Sequence, residues 1–323
     1  MKQVTKGQWN GYDTYILHSR ELEVTLLPRL GNNVISLWDR KEERQILRQP
    51  DESDLAFYIQ KPYHFGIPLL VPPGRIRNGQ FAFDDTSYQF DRNSGDHHIH
   101  GLHRTQAWCV SDIEEDEEGC AVTTEFTTTD DPEWIRQFPE PLKLEMTFRL
   151  QGPDLVQTLK VTHLGGRRIP FGIGYHTWFM LDGAPERWSL TLPVQSLYEL
   201  NNELLPSGHL LPLGELDSLN SHMNLQGKNL DTALRMDDHQ PAEALLMRDD
   251  GYGLRYSVDK EQFRHWVLYT KGEADQFLCI EPLTWLPDAP NLQQDASFTG
   301  MVTLEPGQTL VLGSSLQMIY PGQ

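Results

Sequence analysis

An all-β fold is predicted by three features of this 323-residue sequence. Apolar residues alternate with polar ones at period two, clusters of glycine, proline and aspartate punctuate those runs, and no amphipathic helical stripe longer than about three turns interrupts them. The pattern is that of half-buried antiparallel strands, so a chain of this length reads as a large antiparallel β protein of sandwich type with few short helices. No internal repeat and no domain boundary is visible, and residues 1–323 are read as a single domain with a sizeable core.

Along the chain, Leu22, Val24 and Leu26 share one strand face. Short helical turns are expected around Asp51 to Phe57 and Asp130 to Arg136. Hairpin turns fall at Asp84-Asp85, Glu118-Gly119, Gly152-Pro153-Asp154 and Asp249-Asp250-Gly251, where the residue types meet turn geometry at low cost. Leu144, Met146, Phe148 and Leu150 form a second clear alternation. Strands continue to the end, with Met301 to Leu304 and Thr309 to Ile319 joined by Glu305-Pro306-Gly307-Gln308. The stretches Pro68 to Gly79 and Pro282 to Asn291 are rich in proline and glycine yet interleaved with apolar and aromatic residues, which marks ordered loops at a site rather than linkers.

The net charge of −19 disfavours nucleic acid and anionic lipid as partners. Much of that charge sits in Asp112 to Gly119, read as a solvated hairpin tip. Cys109, Cys120 and Cys279 have no metal-ligand spacing, and the N-terminus Met1 to Lys6 is polar, so a reducing cytoplasm without a disulfide framework is expected. No run of about 18 apolar residues is present, so no membrane span is expected.

Glu281 follows the apolar run Phe277-Leu278-Cys279-Ile280 and precedes a proline- and tryptophan-rich loop. A carboxylate there is costly to bury without a partner or a chemical task, although accepting backbone N–H bonds at a strand end would also satisfy it. Two imidazoles, His176 in F-G-I-G-Y-H-T-W-F and His100 in D-H-H-I-H-G, follow apolar or glycine-rich segments and are the partner candidates. A carboxylate base facing an imidazole acid between Trp178 and Trp285 suits a sugar, because indole faces stack on pyranose C–H groups. Either tryptophan could equally be core packing. His97, His98, His100 and His103 also raise a metal site, which adjacent strand positions on opposite faces argue against; none is assigned.

An ordered series of motifs strengthens the site. It comprises G-I-P-L-L-V-P-P-G-R-I-R-N-G-Q-F from Gly66, H-H-I-H-G ending at Gly101, F-P-E-P-L from Phe138, G-Y-H-T-W-F from Gly174, L-L-P-S-G from Leu204, L-D-T from Leu230 and C-I-E-P-L-T-W-L-P-D-A-P-N from Cys279. In this order the chain resembles the aldose 1-epimerases (galactose mutarotases) over nearly its whole length. The resemblance implies a β-supersandwich whose concave face holds a monosaccharide, and a cofactor-independent interconversion of the α and β anomers of a free aldose. It implies Glu281 as base, His176 as the acid that protonates the ring oxygen, and His100 as a donor to the ring oxygen or a neighbouring hydroxyl. Arg75 would donate to sugar hydroxyls and Asp231 would grip two of them, with Asp237 and Asp238 as nearby alternatives; Arg77 is read as an outer-face surface residue. With carboxylates near, His176 is expected to be cationic at the start of a turnover and Glu281 ionised. Family members carry H-P-Y-F-N where this chain has His176-Thr177-Trp178-Phe179-Met180, so the preferred sugar stays open. Alternatives are a hexose-phosphate 1-epimerase, a non-catalytic carbohydrate-binding module and, last, a glycoside hydrolase with Glu281 and Asp231 as its carboxylates. The assembly is expected to be a monomer or homodimer.

Overall fold

The computed structural model describes residues 3–270 and 276–322, so Met1 and Lys2 of the polar N-terminus lie outside the described residues. Among the described residues three antiparallel sheets dominate, of five, nine and eight strands. The α-helices Leu55–Gln60, Pro132–Gln137 and Ala296–Thr299 are one to two turns long; the first two fall where helical turns were expected and the third was not foreseen. Asp131 caps the second of these by accepting from the N–H groups of Glu133 and Trp134.

The nine-stranded sheet is the regular one. Leu142–Gln151 pairs with Asp154–His163 through the turn at Gly152-Pro153, and Thr309–Ile319 pairs with Asp154–His163 on its far side. Leu144, Met146, Phe148 and Leu150 are buried while Lys143, Glu145, Thr147 and Arg149 between them reach solvent. The hairpins at 84–85, 116–119 and 249–252 form as expected. Val302–Leu304 departs from simple chain order, pairing with Ile169–Phe171 and not with the strand that follows it.

The eight-stranded sheet runs, in spatial order, through Pro206–Leu211, Val194–Leu200, Asp231–Met236, His265–Tyr269, Phe277–Leu283, Gly174–Tyr175 and Leu69–Leu70, with Thr177–Met180 also pairing with Phe277–Leu283. Phe277–Leu283 lies deep in this sheet and every residue of it is buried. Its even positions Leu278 and Ile280 point into the main core beside Leu234, Trp266, Leu268 and Phe179. Its odd positions look the other way. There Glu281 pairs with Val267, Val267 with Ala233, and Cys279 with Tyr269, which in turn pairs with Asp231. One face of the sheet is thus core and the other is the floor of a cavity.

Candidate functional site

A cavity of about 290 Å³ stands over that floor, at the small end of ligand pockets and of a size for one monosaccharide. Strands supply Glu281, Asp231, Ala233, Val267, Tyr269 and Trp178. A 3-10 turn supplies Tyr63 and His64, a separate two-residue strand Arg75, and loops His100, Leu204 and Pro287. The sequence-derived candidates Glu281, His176, His100, Arg75, Asp231 and Trp178 all line this one space.

His176 lies between Gly174–Tyr175 and Thr177–Met180, its N–H donating to Pro68 O at 3.1 Å. Its Nε2 is 3.2 Å from Glu281 Oε1, and both side chains are almost wholly buried. Trp178, two residues on and therefore on the same face, stacks on the imidazole with ring centroids 5.1 Å apart and planes 13° apart. Its indole N–H donates to Tyr63 O at 2.7 Å, which ties the strand to the loop above it.

His100 has a left-handed backbone, φ +62°, which few residues other than glycine adopt readily. Three contacts hold it there. Its N–H donates to Gly74 O at 2.9 Å, and Arg104 donates to the carbonyls on either side, Ile99 O at 2.8 Å and Gly101 O at 3.2 Å. Gly101 follows with φ +69°, so close to Val71 that a Cβ would fall 2.1 Å from Val71 O. The His100 ring meets His176 edge-on at 5.2 Å and lies 4.8 Å from the ring of Tyr63. The other three histidines diverge. His97 accepts from the Asn78 N–H, His98 pairs through Nδ1 with Asp91 O, and His103 pairs through Nε2 with Gly31 O. Among the described residues no cluster of three or more His, Cys, Asp or Glu could hold a metal ion.

Burial works against charge on both members of the Glu281–His176 pair. It raises the Glu281 carboxyl well above its ordinary value, with Asp231 adding to the rise and Arg75 opposing it. It lowers His176 to about 3, helped by His64. The cationic His176 and ionised Glu281 expected at the start of a turnover are thus both opposed by burial, and would need a bound sugar to be favoured. Both shifts favour a neutral imidazole next to a protonated carboxyl, with a single proton held by the pair. His100 is likewise lowered, by burial first and then by His176 and Arg104, and remains a neutral donor or acceptor.

Asp231 opens the strand Asp231–Met236, and burial raises its carboxyl against the pull of Arg75. The alternatives fall outside the cavity, where Asp238 instead pairs with Arg235 at 3.5 Å. Trp285 does not line the cavity. Its indole is 1% exposed, donates to Pro73 O at 3.2 Å and packs on Gly172, where a Cβ would lie 2.5 Å from the ring. Arg77 is half exposed as a surface residue would be, yet its Nε reaches the fully buried carboxylate of Asp288 at 3.2 Å.

Sequence reasoning missed Tyr63, His64 and Tyr269 among the lining residues. Tyr269 had a signal. It stands two positions after Val267 in an alternating strand, which places both on the face of Glu281's partner. Tyr63 and His64 had none, because a short 3-10 turn, Pro62–His64, carries them over the sheet.

The sequence matches the family model described as aldose 1-epimerase over residues 13–317. The structure superimposes on a galactose mutarotase-like protein from Clostridium acetobutylicum with a TM-score of 0.93, 22% identity and 98% of each chain covered. It is also similar to a galactose 1-epimerase from Lactobacillus acidophilus, with a TM-score of 0.78, 17% identity, and 98% of this chain and 97% of that one covered. An uncharacterized Escherichia coli protein, YphB, is 25% identical over 264 residues, covering 78% of this chain and 82% of its own length. The fold is accordingly the β-supersandwich of the galactose mutarotase type, with a sugar epimerase role for the family that bears it. With a model match spanning nearly the whole sequence, the chain belongs to the aldose 1-epimerase family.

Proposed function

We propose that this protein interconverts the α and β anomers of a free aldose by acid/base ring opening, without a cofactor. One observation carries the reading: Glu281 and His176 meet at 3.2 Å on the floor of a monosaccharide-sized cavity. The anomeric hydroxyl and the ring oxygen are bonded to the same carbon, so a base for one and an acid for the other must be neighbours.

Glu281 is assigned as the base and His176 as the acid. The pair holds one proton, and entry of a sugar favours its transfer to His176, because the sugar's hydroxyl donors stabilise the carboxylate. Glu281 then takes the proton of the anomeric hydroxyl while His176 gives one to the ring oxygen, and the C1–O5 bond breaks to leave an aldehyde. Rotation about C1–C2 presents the other carbonyl face. On closure the C5 hydroxyl returns its proton to His176, Glu281 returns its own to the anomeric oxygen, and the enzyme is restored. His100, as a neutral imidazole, hydrogen-bonds the ring oxygen or an adjacent hydroxyl, while Arg75 and Asp231 hold the remaining hydroxyls. Tyr63 and Tyr269 supply aromatic edges and faces for the C–H groups.

Polarimetry or saturation-transfer NMR on a panel of aldoses tests the reading, which predicts faster anomer exchange on at least one. Folded protein that accelerates none of them removes it, and sugar affinity without exchange replaces it with a binding module. Lys61 and Arg75 both line the cavity, which keeps aldose phosphates in the panel. Competition by inorganic phosphate would favour a phosphorylated substrate, whereas Asp231 and Glu281 favour a neutral one.

A further inference from the structure

Asp288 is a buried carboxylate that the proposed reaction does not use. Its side chain is fully inaccessible, and its backbone is left-handed at φ +62°. Burying such a charge is unfavourable unless donors surround it, and here they do. Oδ1 accepts from the Arg77 N–H at 2.8 Å and from Asn291 Nδ2 at 2.7 Å, and Oδ2 accepts from Arg77 Nε at 3.2 Å. In the opposite direction the Asp288 N–H donates to Arg75 O at 2.7 Å. Asp288 therefore brackets Arg75, gripping its carbonyl on one side and the amide two residues later on the other.

The bracket reaches further than one residue. Seven positions upstream on the same chain segment stands Glu281, and the loop between them also attaches to the Arg75 segment through Trp285 Nε1–H to Pro73 O. Pro287 packs on Gly74 so closely that a Cβ there would meet its ring at 2.6 Å. Arg75 pairs in turn with Ile99, next to His100. From this geometry we propose that Asp288 is the positioning residue that sets Arg75 in the cavity at a fixed distance from Glu281, and so controls sugar binding. The proposal rests on the cavity being the sugar site.

Arg75 grips the sugar equally before and during ring opening, so loss of its placement raises KM and leaves kcat nearly unchanged. Asp288→Gly removes the carboxylate without imposing a side chain on the left-handed backbone. It is expected to raise KM about tenfold and to change kcat by less than about twofold. In an Arg75→Ala background the same substitution is expected to add nothing to KM, the signature of acting through Arg75. A KM effect that multiplies in that background, or none in the wild-type background, overturns the proposal. Should Asp288→Gly fail to fold, Asp288→Asn keeps an oxygen for the Arg77 N–H and loses the charge facing Arg77 Nε. It carries the same cycle at about threefold in KM, and an unchanged KM in it is equally fatal. A crystal structure of whichever variant folds separates this idea from the functional reading. An Arg75 guanidinium superimposing on its wild-type position overturns the role of Asp288 even if the wild type accelerates no aldose, whereas a displaced Arg75 with an inactive wild type leaves it standing and removes only the mutarotase.

Discussion

The nine-stranded and eight-stranded sheets share a period-two backbone and differ in what covers their second face. On the first, Lys143, Glu145 and Lys160 line an outer surface, with Lys160 3.0 Å from Glu145 in an exposed pair that solvent screens. On the second, the corresponding face of Phe277–Leu283 lies under loops, and the one carboxylate on it, Glu281, is driven towards neutrality. A glutamate is thus an ordinary solubilising group on one sheet and a buried carboxyl held towards its neutral form on the other, where the proposed function makes it a proton carrier. The difference lies in the covering, not in the strand.

That contrast can be broken most directly at Glu281. Glu281→Gln keeps the shape and removes the proton carrier, so anomer exchange measured by saturation-transfer NMR should fall by about three to four orders of magnitude. A fall within tenfold would reduce Glu281 to a buried acceptor. His176→Asn should cost about two to three orders, and the double variant little more than Glu281→Gln alone, since the two act on one proton inventory. Multiplying losses would mean that they act separately. Phe148→Ala, in the nine-stranded sheet, should lower stability by about 3–5 kcal/mol in denaturant unfolding while leaving the exchange rate per folded molecule unchanged. A rate that falls with it would show the two sheets to be coupled.

The smallest expected effect sharpens the electrostatic half. With His176 lowered and Glu281 raised, the pair takes a second proton only well below the usual imidazole value and loses its single proton only well above the usual carboxylate value. The kcat should therefore not decline by more than about twofold as the pH is lowered from about 7 to about 5.5. A decline centred near 6.5 would mean that His176 titrates as an ordinary histidine.

The nine-stranded sheet was legible because its alternation is a local property: Leu144 to Leu150 declare their buried face, and Gly152-Pro153 its turn. Glu281 was legible for the opposite reason, as a charge placed where the local pattern allows none. His176 and Asp231 depended on family motifs, since nothing local distinguishes a histidine in a core from one on a cavity floor. Trp285 was misplaced because a loop indole can face either way, and the deciding contacts, Gly172 and Pro73 O, lie more than a hundred and two hundred residues upstream. The direction of the two pKa shifts was illegible on the same grounds, because burial is a tertiary quantity. Tyr63 reaches the cavity only through the path of a three-residue turn, and no periodicity encodes such a path.

Glu281, His176, Asp231 and Tyr269 are carried on or between neighbouring strands of one sheet, whereas Tyr63, Arg75, His100 and Leu204 arrive on separate excursions of the chain. Under the proposed function the acid/base pair and part of the sugar grip therefore rest on one sheet, while the rest of the grip rests on separate segments. Under that function, exchanging the Leu204 loop would retune which aldose is admitted while Glu281 and His176 stayed in register, whereas the Arg75 segment, bound to the Glu281 strand's own continuation through Asp288, would have to change together with it.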